Sequence, residues 1–214
     1  MGQYTFKESV NYPPWVGSAY GAKESTRILI IGRCYYDAHY ENHTIPDYIK
    51  TLIKTGKEDP FFNAAELIIS DKQHWKKNFG GKISLDLKKF WNSVAYHQFL
   101  QGILDEPYAI PSRQMWKQSQ EIFKHVILSL EPEIIVIFSH EVFDNIPTMG
   151  GSAGENFSSG KNLMKTWNFR NHESPVSICR IMSPQKASFQ LDTWKNLYHQ
   201  FLAEYKNRYG KVYF

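Results

Sequence analysis

The sequence predicts an α/β fold, a three-layer α/β/α sandwich around a short, mostly parallel central sheet. Three observations carry this. Residues 28–31, 134–138 and 175–181 are short runs dominated by isoleucine and valine, and apolar residues in unbroken succession mark strands buried on both faces. Between these runs lie stretches whose apolar residues recur at helical spacing. The connections are long enough for the crossovers that parallel strands require.

Residues 1–26 contain Pro13, Pro14, Gly17 and Gly21 and show no sustained period. They are expected to form an irregular N-terminal arm laid over the core and ordered by Tyr12, Trp15 and Tyr20. Residues 27–214 are expected to form a single α/β domain. Its first strand is Arg27-Ile28-Leu29-Ile30-Ile31-Gly32. Thr44 then stands as a cap before Ile45, Tyr48, Ile49, Leu52 and Ile53, and a second helical face, Phe61, Phe62, Ala65, Ile68 and Ile69, follows Pro60. Residues 90–99, rich in aromatic and small apolar side chains, are expected to be an inner strand running into a helix or loop. From Ser112, residues Met115, Trp116, Ser119, Ile122, Phe123, Val126, Ile127 and Leu130 trace one helical face, which Pro132 stops before the strand at 134–138. Residues 145–160, dense in Gly, Ser and Asn, are expected to be the longest irregular stretch. After the strand at 175–181, Trp194, Leu197, Tyr198, Phe201, Leu202 and Tyr205 form a long amphipathic helix.

With 42% hydrophobic and 15% aromatic residues in 214, the chain carries enough apolar material for one buried core, which excludes a disordered chain. It shows no leader pattern and no apolar run of bilayer length, so a cytoplasmic protein without a membrane partner is expected. The two cysteines, Cys34 and Cys179, are expected to be reduced thiols, too few for a cluster or a self-contained zinc site. A net charge of +4 is mildly basic, the direction an anionic partner favours.

In parallel sheets ligands bind outside the carboxyl ends of the strands, so the informative loops follow Ile31, Phe138 and Ile181. The first reads Gly32-Arg33-Cys34-Tyr35-Tyr36-Asp37-Ala38-His39-Tyr40. Arg33 can hold an anion, Asp37 can act as a base or stabilise a cation, and Tyr36 can wall a planar ligand. The last reads Met182-Ser183-Pro184-Gln185-Lys186-Ala187-Ser188-Phe189, with hydroxyls on Ser183 and Ser188 and a phosphate contact on Lys186; Ser188 can equally cap the final helix. His39 and His43 are four apart, but no third ligand accompanies them and no metal site is expected. Residues 154–161 fail as a phosphate-binding loop, with one residue too many between the glycines and Asn162 where a hydroxyl should stand. Neither a dinucleotide fingerprint nor a Gly-x-Ser-x-Gly elbow is present, and no cofactor is expected.

In their order along the chain these segments resemble the uracil-DNA glycosylase superfamily. The family's first strand ends in a glycine-led motif, commonly Gly-Gln-Asp-Pro-Tyr, and Gly32-Arg33-Cys34-Tyr35-Tyr36 stands at that point, with Cys34 at the catalytic acidic position. The family's inner strand ends in a base-reading asparagine, to which Phe90-Trp91-Asn92-Ser93-Val94 is similar. Its last loop often reads His-Pro-Ser-Pro, and Met182-Ser183-Pro184-Gln185 occupies that place, with methionine for the histidine that stabilises the departing base. The resemblance implies the family's fold of a short parallel sheet between helices. It also implies a DNA repair hydrolase that flips a uracil-like or modified base out of single- or double-stranded DNA and cleaves its N-glycosidic bond. Asp37 and Cys34 are then the catalytic candidates. Gly32, Arg33, Tyr36, Asn92, Met182 and Ser183 would bind the substrate, and Pro184, Gln185, Lys186 and Ser188 the nucleic acid. A monomer is the default expectation. A non-catalytic nucleic-acid or nucleobase binder, favoured by Cys34 and Met182, and a small-molecule hydrolase remain the alternatives.

Overall fold

A computed structural model describes residues 4, 6, 10–23, 25–34, 44–77, 80–106, 109–169 and 175–210. The apolar runs are strands β2 (Ile28–Gly32), β6 (Ile134–Ile137) and β11 (Val176–Arg180), and a fourth, β5 (Ala95–Gln98), joins them. These four pair in parallel in the order β5-β2-β6-β11. Among the described residues, short antiparallel strands extend the sheet to seven: β1 (Trp15–Val16) on the β5 side, and β10 (Thr166–Phe169) followed by β7 (Ser152–Ala153) beyond β11.

Side chains alternate across each strand, and both faces are apolar. Ile28 and Ile30, Ile134 and Val136, Tyr96 and Cys179 face one core cluster. Covering it are α1 (Ile45–Thr55), α2 (Pro60–Ile69), α3 (Leu87–Ser93) and α6 (Leu191–Tyr209), through Ile49, Phe62, Trp91, Trp194 and Tyr198 among others. Leu29, Ile31, Ile135, Ile137 and Ile178 face the other, covered by α4 (Arg113–Leu130) and the short α5 (His140–Asp144). Helices on both faces make the layering three deep. Each fully buried Leu, Ile or Phe contributes about 1.5–3 kcal/mol, which is why the sheet needs both coats.

The helix starts follow from caps. Thr44 Oγ1 accepts from the Asp47 amide at 3.2 Å, Asp59 Oδ1 from the Phe61 amide at 2.9 Å, and Ser112 Oγ from the Met115 amide at 3.1 Å, each satisfying an otherwise orphaned donor. The structure corrects three expectations. Residues 90–99 run in the opposite order to the one expected: helix α3, capped by Asp86, comes first and ends at Ser93, and the strand follows. Residues 145–160 are not one irregular stretch but hold β7 and β8 (Phe157–Ser159), which pairs with β9 (Asn162–Met164) around a turn at Gly160, φ 58°. Ser188 does not cap the final helix; α6 starts after Gln190 with no side-chain cap. A further hairpin, β3 (Trp75–Lys77) with β4 (Ile83–Leu85), was not expected. Among the described residues of 1–26 the one strand is β1, and Trp15 and Tyr20 are buried. Among the described residues, no helix is long and apolar enough to cross a membrane.

Candidate functional site

From β2 the chain moves outward to β5 and later returns to β6 on the other side, so strand order reverses beside β2. A crevice opens at such a reversal, at the carboxyl ends of the strands. Here it holds a slot of about 80 Å³ whose lining includes Gly32, Cys34, Asp59, Phe61, Tyr96, Gln98, Phe138 and Ser183. The loops after Ile31 and Ile181 contribute together with Phe138 at the end of β6, and β5 adds its own carboxyl end.

The floor is a carboxamide. Gln98 is 5% exposed, and its Nε2 donates to the Tyr96 hydroxyl at 2.5 Å. Its Oε1 is buried and meets no donor among the described residues. Both groups crowd Gly32: a Cβ there would stand 2.6 Å from Gln98 Oε1 and 2.7 Å from the Tyr96 hydroxyl oxygen. A side chain here would have to displace one of these two groups, so glycine serves close approach at this position, not an unusual φ. Phe61 forms an aromatic wall, its ring centroid 5.8 Å from that of Tyr96 and 5.5 Å from that of Phe138. Asp59 supplies a carboxylate, with Oδ1 on the first amides of α2 and Oδ2 accepting from the Tyr48 hydroxyl at 3.0 Å.

A wider cleft of about 450 Å³ adjoins the slot and shares Arg33, Ser183 and Gln185 with it. Its lining adds Ser139, His140, Glu141, Met182, Lys186 and Ser188. Arg33 ties the walls together: Nε donates to Glu141 Oε2 at 2.7 Å and Nη2 to the Ala109 carbonyl at 2.8 Å. Within the last loop the Lys186 amide donates to the Ser183 carbonyl at 3.1 Å, and the Ser188 hydroxyl lies 3.5 Å from Met182 Sδ. His140 follows Ser139 at the start of α5. Burial holds its imidazole below the usual range, and the cations Arg180, Lys165 and Lys186 add to this against the opposing Asp144 carboxylate.

Gly32, Arg33, Cys34, Met182, Ser183, Gln185, Lys186 and Ser188 therefore converge on one crevice. Pro184 lies half-buried in the same loop. Asn92 does not join them. It sits in the last turn of α3, at the amino end of β5, where its carbonyl accepts from the Ala19 amide at 2.8 Å. The amide at the crevice end of that strand is Gln98. Arg33 is committed to Glu141 and Ala109 rather than held ready for an anion. Tyr36, Asp37, His39 and His43 lie outside the described residues. Among the described residues no three His, Cys, Asp or Glu side chains gather as a metal-binding group. Cys34 and Cys179 are buried and form no disulfide, and burial pushes the Cys179 thiol far up.

Sequence reasoning missed several contributors, among them Gln98, Asp59, Phe61 and His140. Asp59 before Pro60 was legible as a cap, and His140 stands two residues past the predicted strand at 134–138, so both carried a signal. Neither models of known protein families nor curated proteins match this chain.

Proposed function

We propose that the chain is a DNA glycosylase-like protein of the uracil-DNA glycosylase fold, taking an extruded uracil-like or modified base into the slot. The observation that carries this is the buried, half-satisfied Gln98 carboxamide facing aromatic walls at the strand-order reversal. A carboxamide offers one donor group and one acceptor group, matching the polar edge of a nucleobase, while flat apolar walls match its faces. The slot is several-fold smaller than the cleft beside it. The ring then enters the slot and the sugar-phosphate stays in the cleft.

In hydrolysis of the N-glycosidic bond, the C1′–N bond breaks with its electron pair passing to the base, and water adds to C1′ as positive charge develops on the sugar. Stabilising that charge calls for a carboxylate. Asp37 comes three residues after Cys34 in the sequence, and Asp59 is the carboxylate of the described slot. A second reading, a binder without chemistry, is favoured by one observation: Asp59 and Glu141, the carboxylates lining slot and cleft, are both engaged, by α2 amides with Tyr48 and by Arg33.

The test is base release from single- and double-stranded oligonucleotides carrying uracil, hypoxanthine or alkylated bases, read as alkaline strand breaks. Release abolished in Gln98→Ala and Asp37→Asn but retained in Asn92→Ala is the expected result. Salt-sensitive binding with no product from any substrate would establish the binder instead.

A further inference from the structure

Charge is distributed unevenly along the chain. Residues 71–89 hold six lysines, two aspartates and no arginine, a net charge of +4. The whole chain has 25 lysines and arginines against 21 acids, also +4, so everything outside this segment is balanced, 19 against 19. All six lysines, Lys72, Lys76, Lys77, Lys82, Lys88 and Lys89, are exposed. They lie on or beside a 3₁₀ turn (Lys72–His74), the β3–β4 hairpin and the start of α3. Both acids are engaged locally: Asp71 Oδ1 accepts from the Gln73 amide at 2.6 Å, and Asp86 Oδ1 from the Lys89 amide at 3.2 Å, with Asp86 Oδ2 at 3.2 Å from Lys76 Nζ.

His74, 1% exposed, fastens the hairpin at its base. Its Nδ1 accepts from the Asp71 amide at 3.1 Å, which leaves the ring proton on Nε2, 3.1 Å from Ser93 Oγ, and its carbonyl accepts from the Asp86 amide at 2.7 Å. The lysines thus stand on an anchored surface and not on a loose tail. That surface is remote from the slot. Asp59 and Phe61 at the start of α2 line the slot, and the ten residues of the helix carry the chain about 15 Å away from it. Ser93, which His74 meets, precedes the amino end of β5, whereas Gln98 closes its carboxyl end. None of the six lysines belongs to the described lining of slot or cleft.

We infer that the lysine-bearing face of the β3–β4 hairpin and α3 is a second nucleic-acid contact, which holds backbone phosphates of a strand without reading its sequence. The choice of a nucleic acid rests on the proposed function, and the composition of the face agrees with it. Lysine heads are point charges on flexible stems, which meet phosphates in any register, whereas paired recognition of carboxylates on an acidic protein favours arginine, absent from this segment. A membrane surface calls for apolar area to bury beside the charges. Among the described residues of the segment, Ile83, 65% exposed, is the one large apolar side chain standing out.

The experiment follows a fluorescent oligothymidylate of about twenty nucleotides binding to the full chain by anisotropy over a series of NaCl concentrations. One variant changes Lys72, Lys77, Lys82, Lys88 and Lys89 to Gln and keeps Lys76 for Asp86. A control of equal charge changes Lys54, Lys124, Lys161, Lys195 and Lys206 to Gln. The hairpin variant is expected to bind at least about tenfold more weakly at low salt. The slope of log Kd against log salt should fall by about 2–3, since each single-strand phosphate contact carries about 0.7. The control is expected to stay within about threefold of wild type, the weaker long-range effect of screened charge. Unchanged affinity and slope in the hairpin variant, or an equal loss in the control, would overturn the contact. Hairpin-dependent capture of phosphatidylserine vesicles or of polyglutamate, with oligonucleotide affinity unmoved, would overturn it in favour of a membrane or an acidic protein. Uridine reads the slot alone, and its affinity should be the same in wild type and hairpin variant. Hairpin-dependent oligonucleotide binding in a chain that takes up no uridine would refute the slot and support the contact. Uridine uptake and base release with hairpin-independent oligonucleotide affinity would refute the contact and leave the slot standing.

Discussion

Glu66, on the inner face of α2, is 4% exposed, and its Oε1 accepts from Trp91 Nε1 at 2.7 Å. Burial pushes its carboxyl up to about 7, with the Trp91 hydrogen bond opposing and the Asp59 charge adding. The folded state therefore holds a proton that the unfolded chain, with its carboxyl near 4.5, has already released. The sign follows: this group's contribution is most favourable below pH 4.5, declines as pH rises, and levels off above about 7. The full difference is about 3 kcal/mol. Glu66→Gln keeps an acceptor for Trp91 and removes the titration. Urea unfolding should find the variant about 2–3 kcal/mol more stable than wild type at pH 8 and nearly equal to it at pH 4.5; a constant difference across that window would mean the carboxyl is not held protonated. At this scale the sequence was least legible. Asn92 and Gln98 are both amides in one aromatic segment, and only the placement of the helix end decides which of them reaches the crevice. A pattern of apolar residues does not carry that boundary, because Phe90, Trp91, Val94 and Tyr96 are all buried whichever element they belong to.

Asp59 illustrates how an element and a site share one side chain. Its Oδ1 satisfies the first amides of α2 and its Oδ2 fixes Tyr48 of α1, so it joins two helices while lining the slot. Asp59→Ala should cost about 1–2 kcal/mol in denaturant unfolding through loss of the cap, whereas Asp59→Asn retains an acceptor and should cost less than 1 kcal/mol. If base release is observed, activity lost in the Asn variant with stability kept makes Asp59 part of the chemistry, and activity kept makes it a helix cap alone. The long helices and the strands at 28–32, 134–137 and 176–180 were legible because each buries a continuous face and so repeats its pattern over several residues. Strands β7 to β10 were not. With two to four residues each, they are too short to display an alternation, and Ser and Asn recur in them, at the outer part of the sheet or in a separate hairpin.

At the scale of the whole molecule, the N-terminal arm closes both cores at once. Trp15 belongs to one apolar cluster and Val10 and Tyr20 to the other. Trp15 Nε1 donates to the Trp91 carbonyl at 2.7 Å, and the Tyr20 hydroxyl to the Leu130 carbonyl at 3.2 Å, so the arm fastens to α3 on one face and to the end of α4 on the other. Between these anchors β1 covers the edge of β5, with Trp15 opposite Tyr96. The strand it covers is the one that carries Tyr96 and Gln98 into the slot, which couples the arm's packing to the floor of the site. Trp15→Ala should destabilise the fold by about 3–5 kcal/mol, the cost of emptying a large aromatic position in a close-packed core. Trp15→Phe, which keeps most of the volume but leaves the Trp91 carbonyl without its donor, should cost about 1–2 kcal/mol. Because an uncovered β5 edge lets Gln98 shift against Gly32, uridine affinity in Trp15→Phe should fall while the fold persists. Hydrogen exchange of the β5 amides provides the check: faster exchange at residues 95–98 together with weaker binding is expected. Unchanged exchange in a variant that has lost affinity would show that the arm does not act through this strand.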